Sequence, residues 1–255
     1  MMSACAFSTA APDAGIDPDA RERADADPEL DVDASFDSAD AAPGSPDAAP
    51  SAADAAPAGE GVLLITEIVD ATLSGGQPTF VELSNSGGSA LDLSEFSLGI
   101  FNNGGSNLSG GSSLVLSGTL AAGESYVVAM DPSDSAGSST FLTVYGRDAD
   151  NLALPKLING NDAVVLFAAD GGGTDGAATG NGSDATILDV FGSVGVDGVG
   201  QAWEYTDGFA TRNPGVVSPT TSFTLGEWTF SGVDALEGLT AAQIDAATSP
   251  GSHSF

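Results

Sequence analysis

An all-β antiparallel sandwich is the fold this sequence predicts, and three observations predict it. Short runs of β-branched and aromatic residues recur along the chain, each bounded by Gly, Asn, Asp or Ser. Nine such runs fall between residues 62 and 206, a number that suits two packed sheets. Helical periodicity is confined to one stretch near the C-terminus.

"VLLITEIVD" (62–70) and "FVELSN" (80–85) open the series. "FSLGIF" (96–101) sets Phe96, Leu98 and Ile100 on one face against Ser97 and Gly99, as in a half-exposed strand. "SLVLS" (113–117) follows, and "LAAGESY" (120–126) reads as a hairpin turn with Gly123 at positive φ, a conformation Gly adopts without a side-chain clash. "SYVVAM" (125–130) and "FLTVYG" (141–146) are the next strands. "AVVLFA" (163–168) is apolar on both faces, which suits a central strand covered on both sides.

"TILDVFG" (186–192) and "QAWEYT" (201–206) complete the nine. In the last, alternation puts Trp203 and Tyr205 on one face before Asp207-Gly208 turns the chain. "FTLGEWTF" (223–230) changes phase between Leu225 and Trp228, which implies a bulge or break at Gly226-Glu227. "VDALEGLTAAQIDAAT" (233–248) brings Leu236, Leu239 and Ile244 near helical spacing, and Gly238 limits it to one or two turns.

Composition divides the 255 residues unevenly. Residues 1–60 hold 14 acids against Arg21 and Arg23, with 19 Ala and 7 Pro, and their larger hydrophobes are isolated. Burial there cannot offset the entropy of ordering, so 1–60 reads as a disordered leader and linker. Residues 61–255 remain for the sandwich domain, with Arg147, Lys156 and Arg212 against 22 acids. A surface this acidic repels phosphate and excludes nucleic-acid binding. The longest apolar run, "AVVLFAA" (163–169), is far short of the roughly 20 residues of a membrane helix.

Cys5 is the only cysteine, which excludes an internal disulfide. It follows "MSA", a small-residue tripeptide that resembles the cleavage site of bacterial lipoproteins, and the Ala/Pro/Asp tract "DAAPGSPDAAPSAADAAP" (40–57) suits a solvated tether. The expectation is a lipid anchor at Cys5, as the only membrane attachment, in an extracellular, cell-envelope or outer-membrane lipoprotein. Its plainer alternative is a free thiol in a tail.

Candidate site residues are few. His253, the single histidine, is the third residue from the end, so neither a Ser-His-Asp triad nor a histidine metal site is expected, and no catalytic residue is assigned. Glu67 and Glu82 lie on neighbouring strands, opposite in parity to Ile68 and Val81, and read as solvated. Trp203, Tyr205, Phe209, Arg212 and Trp228 form an aromatic group that reads first as core and corner packing. Arg212 would stack on an aromatic ring or pair with Asp207 or Glu204. In "AADGGGTDGAATGNGSDA" (168–185), Asp170, Asp175, Asn181 and Asp184 offer oxygen ligands on a glycine-rich backbone, which admits calcium, with a plain hairpin tip as the alternative. No other cofactor is expected.

"LLITEIVD", "PTFVELSNSGGSALDLSEFSL", "LAAGESYVVAM", "NGNDAVVLF", "ILDVFGSVGVDGVGQAWEYTDGFATRNPG" and "FTLGEWTF", in this order over about 61–231, resemble the bacterial lamin-tail domain family. The resemblance implies an immunoglobulin-like β-sandwich without catalytic residues of its own. The chain departs from animal nuclear lamins in having no heptad rod, no basic surface and no prenylation cysteine in its final "SHSF", so a nuclear-scaffold role does not carry over. The expected function is a non-catalytic surface or secreted module that binds an unidentified protein or glycan. An accessory domain of an extracellular hydrolase system and a passive matrix component are the alternatives.

Overall fold

The computed structural model describes residues 59–73, 75–130 and 139–255, all within one unit, Ala52–Phe255. Residues 1–58, which hold Cys5 and nearly all of the expected leader, lie outside the described residues.

The elements run β1 (Leu63–Leu73), β2 (Gln77–Asn85), β3 (Leu91–Asp92), β4 (Phe96–Phe101), β5 (Leu114–Val115), β6 (Thr119–Leu120), β7 (Ser125–Met130), α1 (Thr140–Tyr145), β8 (Ala163–Ala168), β9 (Ile187–Phe191), β10 (Phe209–Arg212), β11 (Trp228–Phe230) and α2 (Ala241–Ala247). One sheet has the order β11-β10-β1-β2-β7 and the other β5-β4-β8-β9, with β3 and β6 as a separate pair. All strand pairings between these elements are antiparallel, and the whole is an immunoglobulin-like sandwich.

Three apolar layers follow from strand alternation. Ile65, Ile68, Val81, Leu83 and Val128 of the larger sheet meet Leu98, Ile100, Val164, Leu166 and Phe191 of the smaller one in the central core. Val165 and Phe167 point the opposite way, into a second cluster with Phe101, Leu108 and Ala178, so β8 is covered on both sides as its composition requires. The outer face of the larger sheet is covered too. There Val69, Phe80, Val127 and Ala129 pack under Phe141, Val144, Leu236 and Ile244.

Two expected strands are absent. "FLTVYG" begins as helix α1: Ser139 Oγ accepts the Leu142 N–H at 3.0 Å at its start, and Gly146 closes it at φ 67. Phe141, Val144 and Tyr145 then share one helical face, and the Phe141 and Tyr145 rings stand edge-on to Phe80 at 5.5 and 5.9 Å. Six residues are too few for a period of 3.6 to stand out against a period of 2, and the two caps carry the signal. "QAWEYT" is a turn, in which the Glu204 N–H donates to Gln201 O and the Tyr205 N–H to Gly160 O. The strand of this region is β10, which starts at Phe209.

β4 is not half-exposed as expected: Ser97 and Gly99 are buried too, because Leu108 and Phe167 of the second cluster pack over that face. Elsewhere the pattern holds. Gly123 has φ 76. A 3-10 turn at Leu225–Glu227 makes the expected break before β11, and α2 is two turns long. "SLVLS" contributes only the two-residue β5.

Candidate functional site

The aromatic group assembles around Phe191 at the end of β9. Its ring makes edge contacts with Trp203 at 6.2 Å, Tyr205 at 5.3 Å, Phe223 at 5.5 Å and Trp228 at 4.7 Å. Trp203, Tyr205 and Trp228 are buried in the central core although Trp203 and Tyr205 lie on no strand. Phe209 does not join them: it packs on the outer face beside Val69 and Leu236, because strand alternation in β10 sends it away from Ala210.

Arg212 is 1 % exposed and stacks over Trp228, 5.3 Å from the ring centroid. Its ion partners are not the expected Asp207 and Glu204. Nη1 binds Asp189 Oδ2, and Nη2 donates to Glu227 Oε2 at 2.6 Å. Nη1 also reaches the Ile65 carbonyl at 3.2 Å, and Asp189 accepts the N–H groups of Ile65 and Thr220 at 2.9 Å each. Asp189 sits on β9 of one sheet and Arg212 on β10 of the other, so this charged centre ties the two layers together. The partners expected from sequence are near in the chain, whereas Asp189 becomes a neighbour only through packing of the two sheets and Glu227 only through the pairing of β10 with β11.

Glu67 and Glu82 face each other across β1 and β2, and both are 1 % exposed. Their parity is as expected; their solvation is not, because the outer face carries a cover. A bulge at Thr66 between Ile65 and Glu67 turns Glu67 outward, and the segment after α2 then crosses above it. The Ser249 N–H donates to both Glu67 oxygens at 3.1 and 3.2 Å, and the Gly251 N–H donates to Glu82 Oε2. Thr66 Oγ1 donates to Glu82 Oε1 at 2.7 Å, and a chain of hydroxyls runs from Thr66 through Ser84 to Ser125 in steps of 2.7 Å. Burial, and then the Glu82 charge, push the Glu67 carboxyl up to about 8. Burial also raises Glu82, against the hydrogen bonds from Thr66 and Gly251.

The residues of the calcium expectation are spread along their loop. Asp170 accepts the Thr186 N–H at 2.9 Å and its hydroxyl at 2.8 Å, and Asp184 accepts the N–H groups of Gly172 and Thr179. Asn181 accepts from Ser183, and Asp175 lies in a left-handed turn at φ 55. Among the described residues, the acidic groups that converge as a set of three, with oxygens within 4.8 Å of one another, are Asp207, Asp234 and Glu237. No helix among the described residues is long and apolar enough to cross a membrane.

The sequence profile described as Lamin Tail Domain matches residues 56–201, so the match stops before β10, Arg212 and Trp228. No curated protein and no solved structure matches the chain. With two facing antiparallel sheets, the helix-covered outer face and a match over more than half of its length, the chain belongs to the Lamin Tail Domain family.

Proposed function

We propose that this protein is a non-catalytic binding or structural module at a cell surface or in a secreted setting, working through contact with a protein or a glycan. One observation carries the reading: the groups best suited to chemistry are taken up by the fold. Arg212 is held by Asp189, Glu227 and Trp228, and the Glu67–Glu82 pair lies beneath its own C-terminal cover. What faces outward is an acidic, hydroxyl-rich surface with shallow grooves, such as the one of about 400 Å³ lined by Ser112, Gly173, Asp175 and Thr179. Retention of the purified protein on immobilised envelope polysaccharides and cell-surface proteins at physiological salt tests it. No retention on any of them overturns the reading.

Anchoring through Cys5 and calcium at the Asp170–Asp184 loop belong to the same proposal. Mass spectrometry of the protein from its native membrane fraction reads the first: an unmodified Cys5 removes the anchor. A thermal melt with and without millimolar calcium reads the second, and an unchanged midpoint removes the ion.

A further inference from the structure

The cover over Glu67 and Glu82 is a single tight turn, Ser249-Pro250-Gly251-Ser252. The Ser252 N–H returns to Ser249 O at 3.1 Å and its hydroxyl to the same oxygen at 2.8 Å. Proline in the second position and a left-handed Gly251 at φ 79 in the third are the residues a type II turn demands. A side chain at Gly251 is strained by the left-handed backbone, and its Cβ would also displace the Arg147 guanidinium, whose Nη2 lies 2.5 Å from that position. Two backbone N–H groups of this turn are thus aimed at two carboxylates that face each other.

We propose that the Ser249–Ser252 turn is a pH-gated strap, seated on the sheet while the Glu67–Glu82 pair keeps a proton and lifted when both carboxylates are charged. Seating the turn removes from water two carboxylates that the β1–β2 register holds opposite each other, so their mutual repulsion is less screened. Ionisation therefore favours the open form, in which water solvates them. The direction agrees with the raised carboxyls of Glu67 and Glu82.

The other charged and titratable groups around the pair do not reverse this. Tyr145, from α1, faces Glu67 with its hydroxyl on Thr248 Oγ1 at 2.8 Å, and burial raises its phenol, so it stays neutral. Asp245 of α2 adds negative charge near Tyr145. Arg147, Glu124 and Asp150 line the groove of about 470 Å³ beside Ser125 and Gly251, outside the buried pair. His253, further along the tail, is held below its ordinary value by burial and by the Arg212 charge, and is neutral at the pH values that matter.

The hydroxyl chain Thr66–Ser84–Ser125 gives the pair a route to protons. It runs from Glu82 to Ser125, whose side chain is half-buried at that groove. The strap thus responds to solvent pH without first opening.

Amide exchange of the full-length chain, corrected for intrinsic rates, tests the strap. Protection at Ser249 and Gly251 should fall at least about tenfold between about pH 6 and about pH 9, because each tenfold drop in proton concentration through the raised titration favours the open form by up to about tenfold. The Ile244 and Thr248 amides, bonded within α2, should keep theirs. Glu82→Gln should flatten the response at Ser249. Equal protection at both pH values, or a matching loss at Ile244, overturns the proposal. If Glu82→Gln does not fold, the carboxyl-carbon shifts of Glu67 and Glu82 in the unaltered chain decide it: titration of both in the ordinary carboxylate range overturns it.

Discussion

Arg212 and Asp189 lie against each other with neither side chain reaching solvent, one on each sheet of the sandwich. An ion pair so placed has lost its hydration on both sides, and its hydrogen bonds to backbone must make up the difference. Asp189 holds Ile65 N–H and Thr220 N–H as well as the guanidinium, so its removal orphans three donors together.

Asp189→Ala should therefore cost about 3–5 kcal/mol, the usual penalty for stranding a buried charge. Urea unfolding reads it, and a loss below about 1 kcal/mol would show that water or Glu227 takes over the guanidinium. Arg212→Lys should also destabilise, because an ammonium cannot bridge Asp189 and Glu227 while lying flat on Trp228.

Phe191→Ala should cost about 3–5 kcal/mol, as it opens a cavity among four aromatic rings. Tryptophan emission should report the same event, since Trp203 and Trp228 both flank the vacated space. A red shift in the folded state is expected, and unchanged emission would place the indoles elsewhere.

Two glycines separate backbone strain from crowding. Gly123 and Gly160 both have positive φ, at 76 and 83. Around Gly123 a Cβ meets open space, so Gly123→Ala should cost only the left-handed conformation, about 1–2 kcal/mol. At Gly160 a Cβ falls 2.0 Å from Thr206 Cα, against backbone whose Tyr205 N–H is bonded to the Gly160 carbonyl. Gly160→Ala should be clearly the worse of the two in thermal melts; equal midpoints would mean that the Gly160–Thr206 contact is loose.

Folding stability should fall as pH rises from about 5 to about 8.5. Glu67 is pushed from an ordinary 4.5 up to about 8, and Asp70 from 3.8 up to about 7, in both cases first by burial. A carboxyl raised on folding contributes its stability below the unfolded value and loses it as pH climbs through the folded one. The windows are therefore 4.5 to about 8 for Glu67 and 3.8 to about 7 for Asp70. Self-repulsion of a chain with net charge −31 acts in the same direction. Urea midpoints at the two pH values check it, and Glu67→Gln should reduce the difference; a higher midpoint at pH 8.5 contradicts it.

The legible parts are those where local chemistry and global fold agree. Alternation in "FSLGIF", double-sided apolarity in "AVVLFA" and the phase break at Gly226-Glu227 all survive in β4, β8 and the turn before β11. The Ser-Pro-Gly-Ser turn at 249–252 is equally readable as chemistry, yet nothing local says that it lands on Glu67 and Glu82. The helix α1 escapes for the opposite reason: its caps are clear, and its length is too short for a period.

By itself, the amino-acid order determined that two antiparallel layers would form, because side chains in extended backbone alternate and turn residues interrupt them at sandwich spacing. It also determined which strand would be central and that Trp203, Tyr205 and Trp228 would be buried. Only the tertiary structure decided which charges meet. Glu67 and Glu82 lose their water because a segment more than 160 residues away folds over them, and Arg212 finds Asp189 across the sandwich. Such pairings depend on distances between separate elements, and alternation within a strand carries a face but not the identity of what covers it.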